Sequence, residues 1–212
     1  MKNIKLIIFD LDGTLIDAYA AINSSFNFTM RKLGLKPQKA ATIRASVGWG
    51  DTNLLQPYVE IKKLKLAANI YRQHHVFSLI KQSKLYPKVL RLLRQFKAKG
   101  YKLAVASNRP TKFSLILLKH LQIFNLFDYI LCADKLKKGK PAPQILNKIV
   151  AKFGLKKSQA LYVGDMIIDA QAGRRAKIKT IIVTTGSSHL FEIKKEKPFK
   201  IISAVSKLRD LL

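Results

Sequence analysis

Four acidic residues stand out in this sequence because each lies just after a short apolar run. Asp10 and Asp12 follow the run KLIIF, and Asp165 and Asp169 follow ALYV. The whole chain of 212 residues has only 12 acidic residues against 40 Lys and Arg. Carboxylate oxygens are preferred ligands of Mg²⁺, which usually takes one or two of them and keeps several waters. We therefore predict a Mg²⁺ site, with Asp10, Asp12, Asp165 and Asp169 as its candidate ligands.

The chemistry that this pattern favours is phosphoryl transfer. A carboxylate at a strand end, such as Asp10, can attack phosphorus and form an aspartyl-phosphate. Asp12 lies two residues further on and can protonate the departing oxygen, then activate water. The hydroxyl of Ser107 can donate to a phosphoryl oxygen, and Lys140 can neutralise the same group while restraining Asp10. We name Asp10, Asp12, Ser107 and Lys140 as candidate catalytic residues.

Neighbouring polar residues are candidates for binding the substrate. Gly13 lets the chain turn sharply and lets the backbone approach a ligand. Thr14 and Asn108 lie in the same two polar clusters, and we expect them to contact substrate as well. Arg44 is expected to pair with a carboxylate on the substrate. Trp49 and Asn53, nearby in the chain, are expected to face the leaving group.

The elements that must position these residues alternate between strand and helix. Short apolar runs at 5–9, 103–106, 129–132, 160–163 and 180–183 predict buried strands, and helical patterns at 89–99, 112–121, 143–153 and 168–176 lie between the later runs. This alternation predicts an α/β fold of three layers, in which a parallel sheet has helices on both faces. The carboxyl ends of its strands share one edge, so the polar clusters should converge there.

Residues 18–84 interrupt the alternation. They contain no clear strand, and apolar residues recur at helical spacing over 18–33 and 60–80. We predict a helical cap domain at 18–84, inserted into a core domain made of 1–17 and 85–212. His74 and His75 are adjacent in a predicted cap helix and point about 100° apart, so they are poor joint metal ligands; we expect them at the surface or partly buried. Residues 201–212 predict a short strand and a closing helix.

Composition limits the other possibilities. The formal net charge is +28, but the excess is spread along the chain, so we expect a lysine-coated surface with only non-specific electrostatic attraction to nucleic acid. The single cysteine, Cys132, excludes an internal disulfide and a cysteine-only zinc site. No apolar run approaches the roughly 20 residues that cross a bilayer. These features predict a soluble cytoplasmic protein without a membrane partner, as a monomer or homodimer.

The motifs also carry a family resemblance. FDLDGTLID at 9–17 closely resembles the first motif of the haloacid dehalogenase-like hydrolases. ASN at 106–108, GKPAP at 139–143 and VGDMIIDAQAG at 163–173 resemble the second, third and fourth motifs, so the resemblance spans essentially the whole chain. It implies a Rossmann-like core, an inserted helical cap, Mg²⁺ and an aspartyl-phosphate intermediate. Family dehalogenases lack the second aspartate, so Asp12 favours phosphate ester chemistry.

A finer resemblance connects SNRPTKFSLILLKHL at 107–121 and VGWGDTNLL at 47–55 with phosphoglycolate phosphatases. It implies a Mg²⁺-dependent phosphatase acting on a small phosphorylated metabolite. The alternatives are a sugar phosphomutase resembling β-phosphoglucomutase, a pyrophosphatase or a nucleotidase of the same superfamily, and, less favoured, a non-enzymatic protein that binds polyanions. Three positions depart from the pattern: Arg109, where lysine is common; Met166, where a small polar residue is frequent; and Lys177, which interrupts a usual Ala-Gly.

Overall fold

The parallel sheet predicted from the apolar runs is present in the computed structural model, which describes residues 3–212. The strands are β1 (Leu6–Phe9), β2 (Ile16–Asp17), β3 (Lys84–Leu85), β4 (Lys102–Ser107), β5 (Tyr129–Cys132), β6 (Ala160–Gly164), β7 (Lys179–Val183) and β8 (Lys200–Ile202). Six of them form one sheet in the order β5-β4-β1-β6-β7-β8, with every neighbouring pair parallel. The predicted α/β fold class is confirmed.

The apolar runs are nearly continuous because both faces of the sheet are covered. Successive side chains of a strand point to opposite faces. In β1, Ile7 and Phe9 pack in one apolar layer, whereas Leu6 and Ile8 pack in the other. All four side chains are buried, as expected for a central strand of a parallel sheet.

Helices cover both faces of the sheet and also make up most of residues 18–84. They are α1 (Tyr19–Lys32), α2 (Ala40–Ala45), α3 (Asp51–Leu55), α4 (Leu64–Gln82), α5 (Val89–Ala98), α6 (Thr111–His120), α7 (Gln144–Lys152), α8 (Ile167–Ala176) and α9 (Leu190–Lys195). Buried residues of α5 and α6 belong to the layer containing Phe9, and those of α7 belong to the opposite layer. The predicted closing helix is a 3₁₀ helix, Val205–Leu211. Among the residues described, no helix is both long and apolar enough to cross a membrane.

The cap segment, residues 18–84, contains α1 to α4, and α1 and α4 pack along each other. The chain enters it through β2 and leaves it through β3, and these two strands pair antiparallel. The sequence did not predict this pair, because two residues are too few to show a strand period. The pairing brings the two crossings together beside the main sheet.

Candidate active site

The sheet edge that carries the polar clusters is also where the strand order reverses. β1 lies between β4 and β6, with Phe9 opposite both Val105 and Val163. Asp10 and Asp165 directly follow β1 and β6, and Ser107 ends β4. The register therefore brings these three side chains to one crevice, at the position where open parallel sheets bind ligands.

Lys140 is the charged centre of the crevice. It is buried, and its Nζ lies 2.7 Å from Asp10 Oδ1 and 2.8 Å from Asp169 Oδ1. Lys140 also donates to Tyr162 Oη at 3.2 Å, and that hydroxyl donates to Asp169 Oδ1 at 2.6 Å. The sequence does not single out Tyr162, because an aromatic residue inside an apolar strand gives no signal of a polar role.

Asp10, Asp165 and Asp169 form a buried three-carboxylate cluster, with oxygens that lie within 4.8 Å of one another. Asp169 Oδ2 accepts hydrogen bonds from the backbone N–H groups of Asp165 and Met166, so both of its oxygens already have donors. Asp165 differs, because its Oδ1 accepts from Thr14 Oγ1 at 2.9 Å whereas its buried Oδ2 has no partner. Asp165 therefore presents the oxygen with the most capacity for a cation.

The electrostatics of the cluster show a shortage of positive charge. Burial raises the pKa of Asp10 from 3.8 to about 6, although Lys140 opposes the shift. Burial and the neighbouring carboxylates of Asp169 and Asp10 raise the pKa of Asp165 well above its usual range. Burial alone would lower the pKa of Lys140, but Asp10 and Asp169 outweigh it and raise that pKa. One ammonium for three carboxylates leaves room for a divalent cation.

Two glycines complete the surroundings of Asp165. A Cβ atom at Gly13, where φ is +82°, or at Gly186 would overlap the Asp165 carboxylate. The unpartnered oxygen, the raised carboxyl pKa values and this close glycine packing all fit a Mg²⁺ site built on Asp10 and Asp165. The Asp12 carboxylate lies outside the three-carboxylate cluster.

Asp12 instead forms a bidentate ion pair with Arg109. Arg109 Nε donates to Asp12 Oδ2 at 2.8 Å, and its Nη2 donates to Oδ1 at 2.7 Å. The guanidinium is buried, and its Nη1 lies 2.8 Å from His75 Nε2 on α4. The only signal of this role in the sequence was the departure from lysine at position 109.

His75 connects the ion pair to the cap segment. Its Nδ1 lies 3.0 Å from Ser25 Oγ on α1, and its ring packs against Tyr71 and Phe113. The expectation of a surface or partly exposed residue is wrong for His75, because helices of the cap segment and α6 enclose it; only 2% of it is exposed. Burial, Arg109 and His74 lower the pKa of His75 well below 6.5, so the ring is neutral.

A cavity of about 70 Å³ lies between the cap segment and the sheet edge. All four candidate catalytic residues and Asn108 line it, together with Arg109 and His75. The rest of its wall is largely apolar and includes Ile22, Val47, Leu54, Phe113 and Ile168. The site thus combines a polar floor with an apolar wall that suits a small leaving group.

Gly13, Thr14 and Asn108, which were expected to contact substrate, make contacts within the protein instead. Gly13 and Thr14 do not line the cavity; they pack against and hold Asp165. Asn108 does line it, but its Nδ2 donates to the backbone oxygens of Gly48 and Lys140 and its Oδ1 accepts from the Lys140 N–H. Asn108 therefore ties the cap segment to the loop that carries Lys140.

Arg44 contacts the chain just after β7 and does not line the cavity. Its Nη2 donates to the backbone oxygens of Thr185 at 2.9 Å and Gly186 at 3.2 Å, and its guanidinium lies over the Tyr19 ring. Ile43 is the buried residue of α2, whereas Arg44 is exposed. Trp49 and Asn53 do not line the cavity either.

Comparisons with known proteins agree with this geometry. A family model described as haloacid dehalogenase-like hydrolase matches residues 7–183. The phosphoglycolate phosphatase of Aquifex aeolicus is 33% identical over 182 residues, which cover 86% of this chain and 85% of that protein. The phosphoglycolate phosphatase of Psychrobacter arcticus is 32% identical over 219 residues, which cover 98% of this chain and 95% of that protein. The crystal structure of a predicted phosphoglycolate phosphatase from Haemophilus somnus 129pt superposes with a TM-score of 0.95 at 29% identity, covering 100% of this chain and 99% of that one.

Proposed function

This chain belongs to the haloacid dehalogenase-like hydrolases and is a phosphoric monoester hydrolase, and we propose that it uses Mg²⁺ and an aspartyl-phosphate intermediate to hydrolyse 2-phosphoglycolate. One observation carries the chemistry. The buried Asp10 carboxylate lies 2.7 Å from Lys140 in a small cavity that Asp12 and Ser107 also line. A nucleophile, an acid–base group and two phosphoryl-binding donors therefore share one enclosed space.

In the first step, an oxygen of Asp10 attacks phosphorus, and the bond between phosphorus and the ester oxygen breaks. Asp12, separated from Arg109 and carrying a proton taken from solvent, donates that proton to the departing oxygen, so that an alcohol leaves. Lys140, next to Asp10, and the Ser107 hydroxyl, in the same cavity, stabilise the phosphoryl oxygens. The products are a phosphorylated Asp10 and, for 2-phosphoglycolate, glycolate.

In the second step, water attacks the phosphorus of the acyl-phosphate. Asp12, now ionised, accepts a proton from that water, and the bond between phosphorus and Asp10 breaks. Inorganic phosphate leaves, and the original protonation states return. We propose that residues 18–84 act as the cap over a core of 1–17 and 85–212, excluding bulk water during both steps.

Asp10 and Asp165 would hold Mg²⁺, with Thr14 and Asp169 positioning Asp165. When bound, the ion neutralises charge on the phosphoryl group. Asp169 is a positioning residue here, because its oxygens already accept from Tyr162 and two backbone N–H groups. The location we propose is the cytoplasm, since the single cysteine, Cys132, is buried and suits a reducing compartment.

Two findings support 2-phosphoglycolate as the substrate. The curated relatives quoted above bear the name phosphoglycolate phosphatase. The cavity of about 70 Å³ is small, which agrees with a small leaving group.

The test is phosphate release from 2-phosphoglycolate, pyrophosphate, nucleoside monophosphates and sugar phosphates, with Mg²⁺ and with a chelator. We expect Mg²⁺-dependent release with a strong preference for 2-phosphoglycolate. Asp10→Asn should abolish release, whereas Asp210→Asn, a change at an exposed position far along the chain, should not. Preference for another ester would refute the substrate, and normal turnover by Asp10→Asn would refute the nucleophile. Transfer of phosphate to a sugar without release would identify a phosphomutase.

A further inference from the structure

We infer that Arg109 is the specificity-determining residue of this site: it binds a carboxylate on the leaving group and thereby releases Asp12 for acid–base catalysis. This inference rests on the proposed function and adds a substrate requirement to it. Its starting point is the state of Asp12, both of whose oxygens accept hydrogen bonds from Arg109 at 2.7 and 2.8 Å.

Asp12 cannot act as the acid while it is held this way. A general acid must bring its proton within hydrogen-bond reach of the departing oxygen. The guanidinium fork occupies both carboxylate oxygens, so Asp12 has to separate from Arg109 before it protonates the leaving group. Breaking a buried bidentate pair without a replacement would leave two uncompensated charges, which is strongly unfavourable.

The substrate can supply the replacement. Of the cavity-lining residues in the described part of the chain, Lys140 and Arg109 carry fixed positive charge. Lys140 is committed to Asp10 and Asp169 at the phosphoryl end of the cavity. Arg109 is therefore the cation left for a second anion, and the apolar wall formed by Ile22, Leu54 and Phe113 offers such an anion no other partner.

Arg109 is also built to exchange one carboxylate for another. A guanidinium has five N–H donors, and the observed contacts use Nε, Nη1 and Nη2. The bond from Nη1 to the neutral His75 ring fixes the plane of the fork while the anion on the other nitrogens changes. A carboxylate on the substrate offers the same two-oxygen geometry as Asp12. A lysine ammonium is a point charge and would not bind both oxygens in this bidentate geometry.

The consequence is a coupling between substrate charge and turnover. An ester with a carboxylate next to the ester oxygen takes over Arg109 and frees Asp12. An ester of the same size with a methyl group in that place leaves the Asp12–Arg109 pair intact. The carboxylate should therefore raise kcat as well as lower KM.

The experiment compares 2-phosphoglycolate with ethyl phosphate, which carries a methyl group in place of the carboxylate. We expect the unmodified protein to prefer 2-phosphoglycolate at least 100-fold in kcat/KM. Arg109→Lys should reduce that preference at least tenfold, because kcat for 2-phosphoglycolate should fall much further than kcat for ethyl phosphate. Arg94→Lys, at an exposed arginine on α5, should keep the preference. An equal loss on both esters would show that Arg109 only positions Asp12 and would overturn the inference.

A binding measurement decides the inference separately from turnover. In Asp10→Asn, which cannot form the acyl-phosphate, calorimetry should show tighter binding of 2-phosphoglycolate than of ethyl phosphate. Adding Arg109→Lys should remove at least tenfold of that difference. Equal affinities before that second change would overturn the inference. Absence of phosphate release from every ester, with the affinity difference intact, would instead count against the proposed function alone.

Discussion

Replacing Asp10, the proposed nucleophile, should make this protein more stable when no metal is present. Burial raises the pKa of the Asp10 carboxyl from 3.8 to about 6, and this shift already includes the opposing attraction of Lys140. A shift of about 2 units corresponds to about 3 kcal/mol at about 1.4 kcal/mol per unit. That is the free energy by which folding disfavours the ionised side chain. An Asn at position 10 keeps the shape but carries no charge, so Asp10→Asn should raise the free energy of unfolding by up to about 3 kcal/mol.

The sign of the pH dependence follows from proton binding. Between pH 3.8 and about 6 the folded state binds the Asp10 proton more tightly than the unfolded state does, so stability falls as pH rises through this range. The advantage of Asp10→Asn should be complete above about pH 6 and should disappear near pH 4. Urea unfolding with a chelator at pH 4 and pH 7.5 measures both values.

Asp128→Asn is the control of opposite sign. Burial alone would raise the pKa of Asp128, but hydrogen bonds from Lys97 and the Leu103 N–H outweigh burial and lower it. Loss of that charge should therefore destabilise the protein at pH 7.5. Mg²⁺ should stabilise the unmodified protein, because the added ion binds only the folded state. It should not stabilise Asp10→Asn, which lacks one of the two carboxylates that would hold the ion. If Asp10→Asn is less stable than the unmodified protein at pH 7.5 in chelator, the reasoning about buried charge is wrong.

Three further changes test the surroundings of the site. The pKa of His75 lies well below 6.5 in the folded state, so the unmodified protein loses stability as pH falls through 6.5. His75→Gln should make the free energy of unfolding less dependent on pH between 7 and 5, as measured by urea unfolding. An unchanged pH dependence would contradict this reasoning. Thr14→Val removes the hydrogen bond to Asp165 and should weaken Mg²⁺ activation 10–100-fold, measured as the Mg²⁺ concentration for half-maximal phosphate release; an unchanged midpoint would remove Thr14 from the metal site. Gly13→Ala places a Cβ against Asp165 at a φ of +82°, so it should lose turnover and about 1–3 kcal/mol of stability, and near-normal values for both would contradict the packing shown here.

Much of the site was predictable because it lies at strand ends. A buried parallel strand is apolar along its length, so the first polar residue after it marks the carboxyl edge of the sheet. Asp10, Ser107 and Asp165 follow this rule, and Lys140 joins them in the structure. The substrate contacts were less predictable. Arg44 follows the buried Ile43 on a short helix, and its direction depends on how that helix packs.

Two positions show what local pattern could not reveal. Tyr162 has the same pattern as the apolar residues around it in β6, yet its hydroxyl lies between Lys140 and Asp169. Arg109 is one of 40 Lys and Arg residues in the chain, and its departure from lysine did not reveal what it contacts. Its role appears only when Asp12, 97 residues away in the chain, is placed beside it.

The amino-acid sequence by itself determined the α/β class, the helical insertion and the acidic character of the sheet edge, because these follow from local periodicity and from residue types at strand ends. Tertiary structure alone decided that Asp12 pairs with Arg109, that His75 is buried against that pair, and that Arg44 lies outside the cavity. The Asp12–Arg109 pair depends on how the ends of β1 and β4 meet, whereas the positions of His75 and Arg44 depend on how the cap segment packs on the rest of the chain. Such packing joins residues far apart in the chain, and no period within one element encodes it.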